Sequence, residues 1–430
     1  MIVEFTISNF RSIKDEQTFS LYAENPGDHL LDNISYPGDK RVGVLKSAGI
    51  YGANASGKSN VLLAFEALKY LIEESGSWKD GDPIKCYEPF QLSEKTKNQP
   101  VRFEVEFLTP DGARYIYKIG FTRQRIVEEN LSFYSSAKAA VLFDRTETDT
   151  WETITFKSLY TGGKKRLPFF DNNAYLSKVG DSADAPEIVR NVYNYFRTEV
   201  LRLGLNENVS LYDWADDKAV FDKVSALLTH IDAGISGVVV KDNAADVSAV
   251  KFPEGMPQKV KESILKRMKR SYLFVHQTDD LNSTEQFDLE EESDGTKRFF
   301  RLAPLIIDAL STGGVLIIDE LDHSMHPFMA EMIIRLFNDP EVNQGNAQLI
   351  FSTHNISLMS PERFRRDQIW LTEKANGATT LFSLEDFDKK KVKPQSPFNR
   401  WYAEGRFGAV PKIDYRSIVN LLKPGGGADA

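Results

Sequence analysis

Eight residues constrain this chain more than any others: Gly52-Ala53-Asn54-Ala55-Ser56-Gly57-Lys58-Ser59. They fit G-x-x-x-x-G-K-[ST], in which glycines bring backbone N–H groups close to phosphate, a lysine reaches the terminal phosphates and a hydroxyl ligates Mg²⁺. Val44 to Tyr51 before it is strand-like, and Asn60 to Glu74 after it carries Val61, Phe65, Leu68 and Ile72 at helical spacing. Strand, loop and helix in that order form the setting that lets a helix N-terminus face an anion. A chance glycine-rich turn would need neither flank. The second signature stands 260 residues beyond Ser59, where Val315-Leu316-Ile317-Ile318-Asp319-Glu320 ends an apolar run in two carboxylates. Asp319 falls at the C-terminal end of a buried parallel strand, where α/β sheets bind ligands. It is the candidate Mg²⁺ holder, and Glu320 the candidate base or water-orienter for attack on a γ-phosphate. Together the two motifs read as a nucleoside triphosphatase.

Composition limits what surrounds them. At 430 residues, 41% hydrophobic and 27% charged, the chain has the make-up of a globular protein with two or three lobes. No apolar run reaches membrane-span length, and MIVEFTISNF alternates like a strand without a basic leader. No membrane is expected. A single cysteine, Cys86, excludes an internal disulfide and fits a reducing, cytoplasmic setting. The net charge of -9 argues against a general nucleic-acid coat and leaves open a local basic groove.

Between the two motifs the period changes. Val101, Phe103, Val105 and Phe107 alternate with charge, Pro110-Asp111-Gly112 turns the chain, and Tyr115, Tyr117, Ile119 and Phe121 alternate in return. Strand-like stretches continue to Phe156, so an antiparallel β lobe is expected after the first helix. Helical signal follows over Pro186–Leu203, Trp214–Ile231 and Pro257–Tyr272, with a β-rich piece at Gly237–Val240. From Thr296 the pattern is α/β again. The expected division is an N-terminal ATPase lobe over 1–165, a mainly helical insertion over 166–280, a C-terminal ATPase lobe over 281–390 and a tail element over 391–430. The basic residues Lys259, Lys261, Lys266, Arg267, Lys269 and Arg270 read as a solvated helix face more readily than as a phosphate-backbone contact.

Two further pieces carry chemistry. Gln348-Leu349-Ile350-Phe351-Ser352-Thr353-His354 is a buried strand ending in small polar residues and a histidine, able to touch a γ-phosphate. Glu292-Ser293-Asp294-Gly295-Thr296 opens a helix, where Ser293 and Gly295 could offer a hydroxyl and N–H groups to phosphate. Ser293 would serve a simple helix cap equally well.

The order P-loop, antiparallel insertion, helical insertion, Ser-x-Gly helix, apolar-Asp-Glu, strand-His resembles the ABC/SMC superfamily of ATPases, RecF-like and OLD-like members in particular. The resemblance implies an α/β P-loop NTPase of ABC/SMC-head type with an inserted antiparallel β lobe and a compact helical insertion. It implies that two heads sandwich two ATP molecules with Mg²⁺, one head's Ser293 and Gly295 completing the other's site. Gly52, Asn54, Ser56, Gly57, Lys58, Ser59 and Asn60 would then hold the nucleotide in cis with Arg11 of Asn9-Phe10-Arg11. Ser59, Asp319 and Gln91 would serve the metal, and Glu320, Lys58 and His354 the chemistry. Met325-His326-Pro327 resembles the same place in RecF-like and OLD-like ATPases, and Arg400–Pro411, with Gly405-Arg406-Phe407-Gly408-Ala409-Val410-Pro411, resembles the C-terminal element of AAA-type ATPases of the RloA/AriA-like anti-phage defence group. That implies an abortive-infection ATPase, a homodimer or higher homo-oligomer, which senses a trigger and controls a separate effector such as an RloB-like or TOPRIM nuclease. A RecF-like DNA-binding repair ATPase and a non-catalytic ATP-dependent scaffold are the alternatives.

Overall fold

The computed structural model describes the chain except residues 25–28, 39–40, 137, 204–213, 243–249, 251, 253–260, 262–264, 266–268, 280–282, 412 and 424–430. Alternating apolar residues make strand β1 (Ile2–Ser8), which pairs antiparallel with β2 (Gln17–Ser20). A short pair, β3 (Ile34–Ser35) and β4 (Val44–Leu45), leads into β5 (Ser47–Gly52), buried throughout. β5 delivers the chain to helix α1 (Lys58–Glu74), which buries the expected Val61, Phe65, Leu68 and Ile72 stripe.

β6 (Val101–Leu108), β7 (Arg114–Phe121), β8 (Ile126–Tyr134), β9 (Ala139–Thr146) and β10 (Thr155–Phe156) follow as successive antiparallel neighbours. The sheet order is β10-β9-β8-β7-β6-β1-β2, so the β lobe is built onto the first strand and does not stand alone. Phe65 of α1 lies 4.1 Å from the Phe5 ring, which presses the helix onto this sheet.

Helices α2 (Tyr175–Gly180) and α3 (Glu187–Asn194) come next, then β11 (Val200–Leu203). The expectation of one helix over Pro186–Leu203 is corrected here. Val200–Leu203 runs parallel to Val315–Ile318 at the edge of the core sheet. A Val-Leu-Arg-Leu run satisfies either period, and the open sheet edge decides it by offering ladder hydrogen bonds. Helix α4 (Lys218–Ile231) is capped by Asp217, which accepts from the Ala219 and Val220 N–H groups. β12 (Ile235–Asp242), β13 (Arg270–Gln277) and β14 (Thr284–Asp288) form a three-stranded antiparallel sheet. Most of the helix expected over Pro257–Tyr272, with Lys259, Lys266 and Arg267, lies outside the described residues, and Arg270–Tyr272 belongs to β13.

The remainder is α5 (Asp294–Thr312), β15 (Val315–Ile318), α6 (Pro327–Asn338), β16 (Gln348–Ser352), β17 (Ile369–Ala375), β18 (Ala378–Ser383), α7 (Phe398–Ala403) and α8 (Tyr415–Leu422). The second sheet has the order β11-β15-β16-β5-β17-β18, parallel except for β18. Two cores meet across it. Ala48, Ile50, Ile317 and Ile350 face the β lobe and α1, whereas Leu316, Ile318, Leu349 and Phe351 face α5 and α6. The fold is thus the expected α/β P-loop architecture with an antiparallel β lobe. Among the described residues no helix is long and apolar enough to cross a membrane.

Candidate nucleotide site

Because β5, β15, β16 and β17 are parallel, their C-terminal ends emerge on one edge, and with them Gly52, Asp319, Ser352 and Thr372. The loop after β5 turns through Gly52, Ala55 and Gly57, all with positive φ, and Gly57 precedes the first helical residue. A side chain at Gly57, whose φ is 113°, would meet the Thr379 hydroxyl at 2.2 Å. Only glycine lets the backbone lie this close. Lys58 is 5% exposed, and its Nζ donates to the Gly52 and Ala53 carbonyls at 3.0 and 3.1 Å. Burial lowers its pKa to about 8, against the opposing pull of Asp319, Glu320 and Asp322. Ser59 follows in the first turn, half-buried.

The loop is braced from beneath. Asn60 Nδ2 donates to the Ser12 hydroxyl at 2.6 Å, Ser12 bonds the Thr379 hydroxyl at 2.7 Å, and Thr379 donates to the Ser56 carbonyl at 2.7 Å. Ser56 Oγ pairs with Thr372 Oγ1 at 2.6 Å. Arg11 enters the same neighbourhood through Asn60 Oδ1 at 3.3 Å and an ion pair with Glu88.

Opposite stand the carboxylates. Asp319 is 7% exposed and accepts from the Ser352 hydroxyl, whose oxygen also takes the Glu320 N–H at 2.8 Å. Glu320 has φ 50°, a left-handed backbone unusual outside glycine, and its carboxylate lies 3.4 Å from His323 Nδ1. Thr353 donates to Asp322, which holds the loop after Glu320 against the end of β16. His354 is exposed, and its pKa is lowered by burial of its ring and by Lys58, against the carboxylates Glu320, Asp322 and Asp319. That mutual influence puts Lys58, Asp319, Glu320 and His354 in one electrostatic neighbourhood.

The other expected residues are placed differently. Gln91 is exposed, donates to the Pro89 carbonyl at 3.1 Å and lines a cleft with Arg11 and Ser12. Ser293 caps α5 by accepting from the Thr296 N–H at 3.1 Å, and a side chain at Gly295 would come within 2.9 Å of the Ser324 carbonyl. Neither bonds the P-loop of its own chain among the described contacts. The sequence reading missed Thr372 and Thr379, whose only signal is a β-hairpin pattern, and Arg298. The Arg298 Nη2 donates to the Asp319 carbonyl at 3.3 Å, while its buried Nε has no partner among the described residues.

These residues fit a phosphate ligand with Mg²⁺. At Gly57 the cradle has no room for a Cβ, and among the described residues the buried ammonium is held by the Gly52 and Ala53 carbonyls alone. Two hard oxygen donors, Ser59 and Asp319, suit Mg²⁺.

Residues 47–360 match the family described as "AAA domain, putative AbiEii toxin, Type IV TA system". No curated protein matches the chain in sequence. Among solved structures, the SMC head domain from Thermotoga maritima is similar at 13% identity and TM-score 0.39, covering 89% of this chain and 98% of that one. An Smc head from Pyrococcus furiosus, bound to the C-terminal domain of ScpA, gives 12% and 0.41, with 91% and 97% covered. The recombination mediator RecF with ATP gives 14% and 0.37, with 89% and 97% covered.

Proposed function

The chain belongs to the AAA-domain family described as putative AbiEii toxin, Type IV TA system, and on that premise we propose that it is a Mg²⁺-dependent ATP phosphohydrolase whose site closes between two copies. The observation that carries this is the convergence of Lys58, Asp319, Glu320 and His354 at one sheet edge, with the ammonium buried and paired to carbonyls alone.

The side chains have distinct tasks in this reading. Lys58 exchanges the Gly52 and Ala53 carbonyls for the β- and γ-phosphate oxygens, and α1 presents its first N–H groups to them. Ser59, and Asp319 directly or through water, would hold Mg²⁺, whose charge would offset that of the phosphates. Ser352 fixes the Asp319 carboxylate and, through the Glu320 N–H, the backbone that aims Glu320. Glu320 takes the proton of the attacking water. His354, kept neutral near pH 7 by its lowered pKa, can donate to a γ-phosphate oxygen and report its presence. Ser293 and Gly295 complete the site of the second copy, which accords with their making no hydrogen bond to their own P-loop among the described contacts.

The biological setting proposed is a bacterial anti-phage, abortive-infection system in the cytoplasm, in which this ATPase restrains or releases a separate nuclease effector. The family's description as a toxin–antitoxin component and the Gly405–Pro411 element support it. The test is ATP turnover and mass by light scattering for wild type, Lys58→Ala and Glu320→Gln, together with co-purification of the neighbouring gene's product. Turnover in wild type alone, with an ATP-dependent dimer trapped by Glu320→Gln, is expected. Wild type without turnover would leave a scaffold, and strong stimulation by DNA a RecF-like repair ATPase.

A further inference from the structure

Residues 398–410 take no part in the mechanism above, yet they lie across its site. Helix α7 packs on the Ile356–Leu358 turn, which follows His354 almost directly. Beyond α7 the chain reverses through Gly405 and Gly408, and Ala409 keeps a left-handed φ of 57° that alanine rarely adopts. A non-glycine residue at Gly408, φ 71°, would be strained and would put its Cβ 3.3 Å from the Glu373 carboxylate. Phe407 pins the reversal, buried 5.1 Å from the Phe387 ring and 6.1 Å from Trp401.

The result of this backbone is one carbonyl aimed at two donors. Ala409 O accepts from the Ala53 N–H at 3.0 Å and from the buried Tyr402 hydroxyl at 2.9 Å. Burial pushes the Tyr402 phenol up to about 12, so it stays a donor across the working pH range. Ala53 is the second residue of the P-loop, and its own carbonyl holds Lys58. The Ala53 peptide is therefore clasped on both sides, by the lysine on its C=O and by the tail on its N–H. A lysine that turns to phosphate gives up its half of the clasp. The tail's half remains.

We propose that residues 398–410 form a strap that fixes the P-loop for nucleotide and ties its occupation to the turn after His354, with the Ala409 carbonyl and the Tyr402 hydroxyl as positioning groups. The proposal rests on the nucleotide-site reading above and adds to it. Observed strain at a ligand-facing loop is a reason to look for such a role.

The test uses the full chain. Tyr402→Phe and Gly408→Val should weaken ATPγS binding about three- to tenfold, the worth of a hydrogen bond or so. KM for ATP should rise accordingly, with kcat at saturation within about twofold and the circular-dichroism spectrum unchanged. In wild type, ATPγS should slow amide exchange over 398–410 and at the 356–358 turn, and Lys58→Ala should abolish that protection. Folded variants with unchanged affinity, or wild-type exchange at 398–410 indifferent to a nucleotide that does bind, would overturn the strap. If either variant fails to fold, the wild-type exchange experiment still decides. Wild type that binds no nucleotide instead removes the underlying site reading.

Discussion

The molecule buries charge in two places, and the two are built on different terms. In the β lobe, Glu129 and Arg145 are 1% and 2% exposed. Glu129 accepts from the Tyr117 hydroxyl at 2.9 Å, from the Tyr175 and Leu176 N–H groups at 2.6 and 2.8 Å, and faces Arg145 Nη1 at 3.5 Å. Arg145 in turn donates to the Asn173 carbonyl at 2.7 Å and lies over the Phe169 ring. Burial raises the Glu129 pKa and lowers that of Arg145, and each offsets the other. The two charges of this network pair with each other, although the buried Arg145 Nε finds no partner among the described residues. The network joins β8 and β9 to the start of α2.

At the edge of the parallel sheet the charges are equally buried but do not neutralise one another by contact. Lys58 takes carbonyls, Asp319 takes a hydroxyl and Arg298 takes the Asp319 carbonyl, with no ion pair among them in the described contacts. Buried charge without an opposite partner is costly, and perturbed charged groups cluster at functional sites. Charges paired with each other fit an architectural role; charges without an ion partner fit the nucleotide site proposed above.

The contrast can be broken by substitution. Glu320→Gln should lower ATP turnover the most, roughly 10²–10⁴-fold, while leaving ATP binding and the melting temperature near wild type. Equal loss of stability would show that Glu320 holds the fold. Glu129→Ala should do the reverse: it leaves Arg145 buried and unpaired, costs about 3–5 kcal/mol in denaturant unfolding, and leaves the ATP affinity of the folded fraction intact. Lys58→Ala should weaken ATP binding on the order of 10²-fold or more by calorimetry, with stability unchanged or raised because a buried charge is removed.

The pH response sharpens the same difference. Burial lowers the Lys58 pKa from its usual 10.5 to about 8, so between those values the unfolded chain binds the extra proton and stability without ligand should rise with pH. Phosphate needs the charged amine. ATP affinity should therefore fall as pH rises through about 8, with proton uptake on binding seen as a buffer-dependent enthalpy, and Lys58→Met should lose both effects. The smallest effect expected is Ser352→Ala, which strips the Asp319 carboxylate and the Glu320 N–H of their shared partner and should reduce kcat about tenfold.

Much of this site was legible from the residues alone, because it depends on local order. Gly52–Ser59 between a strand and a helix, and Asp319-Glu320 and His354 after apolar runs, stand out by local pattern as candidates, and the structure brings them to one edge. Val200–Leu203 differs from the expected helix because four residues, Val-Leu-Arg-Leu, carry no decisive period and the sheet edge beside β15 makes them a strand. Gln91 bonds its own turn at Pro89, and no local pattern distinguishes such a glutamine from one that faces a metal.

The sequence by itself determined the phosphate loop, the carboxylate pair and the β-lobe hairpins, since each is set by spacing within a few residues. Only the tertiary structure decided that β1 belongs to the β lobe, that Thr372 and Thr379 brace the P-loop, that Ser352 serves Asp319 and Glu320 at once, and that the Ala409 carbonyl clasps Ala53. Those contacts join residues tens to hundreds of positions apart. Hydrogen-bond geometry across such gaps leaves no periodic trace in a chain, and it appears only when strands align and bring the groups within 3 Å.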